Sequence, residues 1–207
     1  MLTSAPFSSR LRAATRSSHG DAETSAFMNA LMGGDIDPRT YAALVVQLQP
    51  VYAGLDAAAA GHRADPVYGP FFDPRLQRTA VLAQDLAHLG DHGHPVTAAT
   101  RGYTGRLLDV AGDPLLVLAH HYTRYLGDLS GGRAIAARLQ QHLALAPQAG
   151  LAFYQFDVGP APAFKSTYRQ RLDDLDLSVC EQQRFIDEVL TAYTLNTDMF
   201  ASLDHLL

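Results

Sequence analysis

The chain has 207 residues, 47% hydrophobic and 18% charged, with a net charge of −5 and an isoelectric point near 5.9. That length and apolar content support one well-buried domain or two small ones, and the acidic balance excludes general nucleic-acid binding, which needs a basic surface. A single cysteine, Cys180, excludes an internal disulfide and any cysteine cage for zinc or iron–sulfur within the chain.

Residues 1–7 read as disordered. Arg10, Arg12 and Arg16, several serines and no acid before Asp21 give the composition of a transit peptide. A helix capped by Ser8 or Ser9 and carrying His19 favours the mature-protein reading instead. That helix is expected to reach Leu31 and stop at Gly33-Gly34. Asp37-Pro38 starts a second helix, with Asp as cap and Pro in the first turn, and Pro50 should kink it before about Ala60. Residues 61–74, rich in Gly, Pro and Asp, read as a loop, and Asp73-Pro74 opens a helix from Arg75 to about Leu89. A shorter helix covers Val96 to about Val110. Pro114 begins a long segment to about Leu145. Leu151–Phe156 is either a short helix or extended, Ala163–Leu172 is a short helix, and Ser178 with Glu181 forms a capping box for a last helix to about Leu206. No strand alternation competes with these periods, so the fold class is all-α, as one domain over 1–207. No run approaches 18 apolar residues and no secretory core is present, so the expectation is a soluble, cytoplasmic protein without a membrane segment.

The long segment contains Ala119-His120-His121-Tyr122-Thr123-Arg124-Tyr125-Leu126-Gly127-Asp128-Leu129-Ser130-Gly131-Gly132-Arg133. Three glycines within six positions, each costing about 0.5–1 kcal/mol in a helix interior, are a local weakness. From the glycines alone, two readings stand: a helix end with a loop, or a bent helix whose bare backbone lies against something flat. The second would hold one inward carboxylate, Asp128, after Tyr122, Arg124 and Tyr125, which suits chemistry on one face of a planar cofactor.

The run His121 to Gly132 closely resembles the distal-helix signature of heme oxygenases. That resemblance extends from about Leu11 to Phe200 and is weak over 61–112. It implies a heme oxygenase-like helical bundle with heme between the first helix and the Gly-bent distal helix. His19 then becomes the axial iron ligand, because Ala22-Glu23 match the family's Ala-Glu pair behind its ligand histidine; Glu23 is a partner for the second imidazole nitrogen. His120 and His121 are rivals on the opposite wall. Arg12, seven residues before His19 and ~10 Å along the helix, replaces the family's usual lysine toward a heme propionate. Lys165, the only lysine, together with Tyr168 and Arg169 resembles the family's second propionate-binding group, with Tyr122 completing the anchor. Thr123 and Ser130 fall among the cofactor-contacting positions. Asp128 is implied as the residue that orders water for proton delivery, with Gly127 and Gly131 leaving backbone exposed to heme and Arg124 and Tyr125 extending the polar network. Asn196 and Phe200 match a family pair and are packing or supporting residues.

The implied activity is oxidative opening of heme b at a meso carbon, α by resemblance, with O2 and external electrons, to biliverdin, CO and Fe(II). Heme is both substrate and cofactor. No strand-linked GxGxxG is present, so electrons are expected from a separate ferredoxin or flavoprotein reductase. A monomer is expected. A non-catalytic heme carrier or sensor with the same pocket is the alternative, and retention of Asp128 and the glycines argues against it. A carboxylate di-iron bundle needs Glu-x-x-His pairs that the three glutamates do not make. A thiamin-degrading enzyme of similar architecture would need a cysteine nucleophile, and Cys180 lies outside every matched motif.

Overall fold

The computed structural model describes residues 5–23, 25–90, 92–143 and 149–207, except for the side chains at 19 and 21–23. The described residues hold α-helices and short 3-10 turns and no strand. In chain order the helices are α1 (Phe7–Ala14), α2 (Arg16–Glu23), α3 (Ala26–Gly33), α4 (Pro38–Gly61), α5 (Thr79–Leu89), α6 (Ala98–Val110), α7 (Pro114–His142), α8 (Ala161–Asp173) and α9 (Val179–Ala201).

The expected single first helix is three helices. Thr15 hydrogen-bonds through its Oγ1 to the Leu11 carbonyl at 3.0 Å, a local bond that competes with continuing the helix. Ser25 accepts from the Met28 amide at 3.2 Å and so starts α3 afresh. α3 ends as expected at Gly34, whose φ of 82° is the left-handed conformation glycine permits. The start is Phe7 rather than Ser8 or Ser9, and Phe7 packs edge-on to Phe185. Ser8 instead bonds Asp173 at the end of α8, through its amide at 2.7 Å and its hydroxyl at 2.8 Å. This contact brings Arg12 on α1 alongside Arg169 on α8.

α4 follows its expected bounds. Asp37 accepts from the Thr40 amide at 2.6 Å, and the helix continues through Pro50. α5 begins four residues later than expected, because a buried carboxylate on α4 supplies its cap. Asp56 Oδ2 accepts from the Arg78 amide at 3.0 Å and from Thr79, through the amide at 2.9 Å and the hydroxyl at 2.6 Å. Pro74–Leu76 form only a 3-10 turn. α9 opens with the expected capping box but ends at Ala201, with a 3-10 turn over Asp204–Leu206.

α7 runs unbroken through Gly127, Gly131 and Gly132. Its start is fixed by Asp113, which accepts from the Leu115 and Leu116 amides at 3.1 and 3.3 Å, with Pro114 in the first turn. Its first half is buried on nearly every side, and it packs most extensively against α9. Tertiary packing therefore holds a helix that local propensity would weaken. The expected end at Leu145 lies outside the described residues.

Glu188 on α9 ties three helices together, bonding His120 Nε2 on α7 at 2.8 Å and Arg106 on α6, whose Nε lies at 2.9 Å. Burial would raise its pKa, but the bonds and charges of His120 and Arg106 outweigh burial and lower it to about 2. A carboxylate depressed in this way stabilises the fold above its ordinary value of 4.5, and that stabilisation is lost as pH falls toward about 2. Glu188→Gln should therefore cost about 3 kcal/mol at neutral pH by breaking a buried pair. The gap to wild type in thermal unfolding should close on acidification, whereas a gap constant with pH would contradict this origin.

Candidate functional site

The glycine half of α7 forms the wall between two neighbouring cavities. The first, of about 350 Å³, lies between α7, α3, α4, α9 and the 3-10 turn at Ala152–Tyr154. Its walls are mainly apolar, with Leu31, Leu48, Ile135, Phe153 and Phe200 among them. The second, of about 490 Å³, opens between α1, α2, α7 and α8 and shares Gly127, Ser130 and Tyr193 with the first. Both volumes are of small-molecule size.

The three glycines divide by role. A Cβ at Gly127 or Gly131 would meet nothing within 4 Å, so bare backbone faces open space there. A Cβ at Gly132 would lie 2.9 Å from Cδ1 of Tyr154. Gly132 is thus a packing requirement, and the other two make a cradle for a flat body.

Asp128 stands on the wall of the first cavity, its side chain 12% exposed. The Tyr52 hydroxyl donates to its Oδ2. Arg124, one turn earlier and 5% exposed, places a guanidinium nitrogen 3.9 Å from its Oδ1. Arg124 also donates from Nε to the Tyr52 oxygen at 3.0 Å and from a second nitrogen to Asn196 Oδ1. Burial pushes the Asp128 carboxyl above the ordinary range, and Arg124, the Tyr52 bond and Arg78 oppose that push. Burial likewise drives the Tyr52 phenol well up, so it stays a donor. For Arg124 burial works downward, but its bond to the Tyr52 oxygen and the charge of Asp128 outweigh burial and the guanidinium stays charged. The result is one acid held in place beside a cavity by a phenol and a guanidinium.

The second cavity is basic. Arg12, Arg16, Lys165 and Arg169 line it with Tyr122, and no carboxylate is among its described lining residues. Lys165 donates to Ser130 Oγ at 3.0 Å across the mouth. Its pKa is lowered by burial and by the neighbouring Arg169 charge, the signature of cations gathered without their counterions. Tyr122 is raised by burial, with Arg169 and Arg12 opposing.

A porphyrin with two propionates needs an apolar slot, a bare wall and cations at one edge, and all three are present. The structure brings Arg12, Tyr122, Thr123, Arg124, Gly127, Asp128, Ser130, Gly131, Lys165 and Arg169 to these two cavities. The hydroxyl of Thr123 is taken up by the Ala119 carbonyl at 2.9 Å. The side chains of His19 and Glu23 lie outside the described residues; the backbone sets His19 three residues after Arg16 on α2, whose side chain lines the basic cavity.

Three expectations change. His120 and His121 do not face a cavity wall: both are buried, one bonded to Glu188 and the other, through Nδ1, to the Tyr168 hydroxyl at 2.9 Å. Tyr168 is accordingly under the basic mouth and not part of it. Tyr125 turns away from Asp128 and donates to Asp56 at 2.8 Å. Two contributors went unassigned in the sequence. Arg16 stands in the sequence only among the arginines of the transit-peptide-like stretch, and Tyr52 lies within the second helix with no local motif to mark it. A tyrosine on a buried helix face needs a partner for its hydroxyl, and that was the available signal.

A family profile described as Heme oxygenase matches residues 5–202. Heme oxygenase 1 of Synechocystis sp. PCC 6803 is 36% identical over 202 residues, covering 95% of this chain and 84% of that protein. Human heme oxygenase 1 is 36% identical over 97% of this chain and 72% of its own length. The crystal structure of the Synechocystis heme oxygenase-1 in complex with heme superposes with a TM-score of 0.90 at 34% identity, covering 97% of this chain and 93% of that one.

The division of the glycines is testable in the unloaded protein. Gly131→Ala should raise thermal stability, gaining up to about 1 kcal/mol of helix propensity at an open position. Gly132→Ala should lower it, by about 1–3 kcal/mol, through overpacking against Tyr154. Equal effects of the two substitutions would contradict the assignment.

Proposed function

The chain belongs to the heme oxygenase family, and from that premise we propose how its own residues conduct the reaction. The protein is an oxygen-dependent oxidoreductase that degrades heme. Bound heme supplies both the iron at which O2 is activated and the ring that is opened, giving biliverdin, CO and Fe(II). The observation that carries the residue assignment is the pairing of an apolar, bare-backbone cavity containing Asp128 with a contiguous cavity lined by cations.

His19 on α2 would hold the heme iron, and Glu23, four residues on, would fix the other imidazole nitrogen. Arg12, Arg16, Lys165, Arg169 and Tyr122 bind the propionates. Arginine offers a planar fork to a carboxylate, and Lys165 exchanges Ser130 for the stronger charged partner. Cations on three helices, α1, α2 and α8, fix rotation of the ring in its plane and so select the meso carbon. Gly127 and Gly131 let the helix backbone approach the ring closely, while Leu48, Phe153 and Phe200 exclude bulk water. Asp128 acts through ordered water: its carboxylate accepts a hydrogen bond, orients the water toward the oxygen site and passes a proton. Tyr52 and Arg124 hold that carboxylate, and Asn196 holds Arg124. These are positioning residues.

Electrons come from an external ferredoxin or flavoprotein reductase, consistent with the lack of a nucleotide-binding glycine motif. The propionate edge offers a cationic docking face for such a donor. No helix is long and apolar enough, among the described residues, to cross a membrane. A cytoplasmic monomer fits this picture.

Hemin titration followed by ascorbate in air, with catalase present, tests the assignment. Wild type should bind one equivalent and then lose the Soret band as a broad red biliverdin band grows. His19→Ala should bind hemin with an altered spectrum and turn over only when imidazole is supplied. Unaided turnover by that variant would remove His19 as ligand, and saturable binding without ring opening by wild type would favour a carrier.

A further inference from the structure

Beyond the oxygenase machinery, a line of buried aromatic rings leaves the Asp128 cavity and emerges at the basic one. Tyr52, which bonds Asp128, meets Tyr125 edge-on with ring centroids 5.7 Å apart. Tyr125 lies 4.4 Å from His121, and His121 lies nearly parallel to Tyr168 at 5.7 Å with 12° between planes. Tyr168 is 6.3 Å from Tyr122, which lines the basic cavity.

Proximity alone is ordinary core packing. The distinguishing observation is that each of the three inner phenols has a proton acceptor. Tyr52 donates to Asp128. Tyr125 donates at 2.8 Å to Asp56 Oδ1, whose other oxygen is already saturated by Arg78 and Thr79. Tyr168 meets His121 Nδ1 at 2.9 Å. The hydroxyls of Tyr68 and Tyr103, buried in the same core, have no hydrogen-bond partner among the described residues. A phenol loses an electron at moderate potential only if its proton leaves at the same time, so an acceptor within hydrogen-bond reach is the requirement for a redox tyrosine. Burial keeps His121 neutral, its pKa lowered to about 3, so the ring retains a free lone pair for the phenol proton.

We propose that Tyr168 and His121 form a redox pair that drains oxidising equivalents from the heme pocket, through Tyr125 and Tyr52, toward Tyr122 at the surface. The step balances as follows. With the imidazole proton on Nε2, Tyr168 gives its phenolic proton to His121 Nδ1 and one electron, through Tyr125 and Tyr52, to the oxidant in the pocket. The products are a neutral phenoxyl radical, an imidazolium and a pocket reduced by one equivalent. The oxidant is hydrogen peroxide reacting at bound heme. Its O–O bond breaks, one oxygen leaving as water with both peroxide protons and the other staying with the heme, and of the two electrons this takes the tyrosine supplies one and bound heme the other. Return of an electron through Tyr122 from an external reductant, with the proton moving back from His121, resets the pair. The device protects Asp128 and the cavity walls when ring hydroxylation fails.

This inference rests on the heme assignment above, and its test separates the two. The heme-loaded ferric protein, with loading checked by the Soret band, is mixed with one equivalent of hydrogen peroxide, frozen rapidly and examined by electron paramagnetic resonance. Wild type should give a tyrosyl signal that changes shape when ring-deuterated tyrosine is incorporated. Tyr168→Phe, which keeps the ring and removes only the hydroxyl, should lose that signal. His121→Leu, which leaves the phenol without its base, should lose it as well and guards against misfolding of the first variant. An unchanged signal in both loaded variants, or no tyrosyl signal in loaded wild type, overturns the pair. Failure of hemin to bind would instead overturn the heme assignment.

Discussion

A carboxylate held beside an apolar cavity is the constraint to which the rest of the molecule answers. Asp128 would be costly there without partners, because burial disfavours its charged form. Its partners come from separate helices: Tyr52 from α4, Arg124 from α7 itself and, through Arg124, Asn196 from α9. α4, α7 and α9 must therefore keep a fixed register, and each has its own fastening. Gln47 on α4 accepts from the Thr97 amide and the Thr100 hydroxyl at 2.9 and 2.8 Å, tying α4 to the start of α6. Asp85 on α5 accepts from the Ala152 and Phe153 amides at 2.8 and 2.7 Å, which places Phe153 and Tyr154 on the cavity wall. These bonds lie away from the reacting centre yet decide where its walls stand.

α7 serves two faces with one sequence. Its core side carries His120, His121 and Tyr125, each bonded to a residue on another helix. Its open side carries Gly127, Asp128 and Gly131. A helix with so weak an interior would be marginal alone, so the stability of the site wall is supplied by burial of the opposite face. Close approach of a flat substrate and rigidity of the wall are thereby reconciled: the backbone is bare on one side and packed on the other.

Several helix starts and the motif on α7 were legible in the sequence because caps and glycine spacing are local signals. Asp37-Pro38, Asp113-Pro114 and Ser178-Glu181 each mark a helix start that the structure has. The delayed start of α5 was not legible, since its cap, Asp56, lies more than twenty residues away in the chain. The breaks at Thr15 and Ser25 were missed for the opposite reason: hydroxyls that compete locally with the helix look like ordinary helix residues. At the site, the resemblance to heme oxygenases named the glycines, Asp128 and most of the cations that line the cavities, and none of the apolar wall from α3, α4 and the Ala152–Tyr154 turn. It could not say that Tyr168 and His121 pair with each other beneath the basic mouth, because that depends on how α7 meets α8. Nor did it mark Tyr52 as the partner of Asp128.

We propose that the Asp128 carboxylate directs oxygen chemistry through water and takes no part in holding heme. The most direct measurement is a single-turnover reaction of heme-loaded Asp128→Asn with one reducing system, compared with wild type by biliverdin yield. Asparagine keeps the size and a hydrogen-bonding group but cannot accept and pass a proton. Hemin affinity should stay close to wild type and biliverdin formation should slow by about 100-fold, the lower range for loss of a positioned proton-transfer group. Wild-type yield and rate in this variant would contradict it.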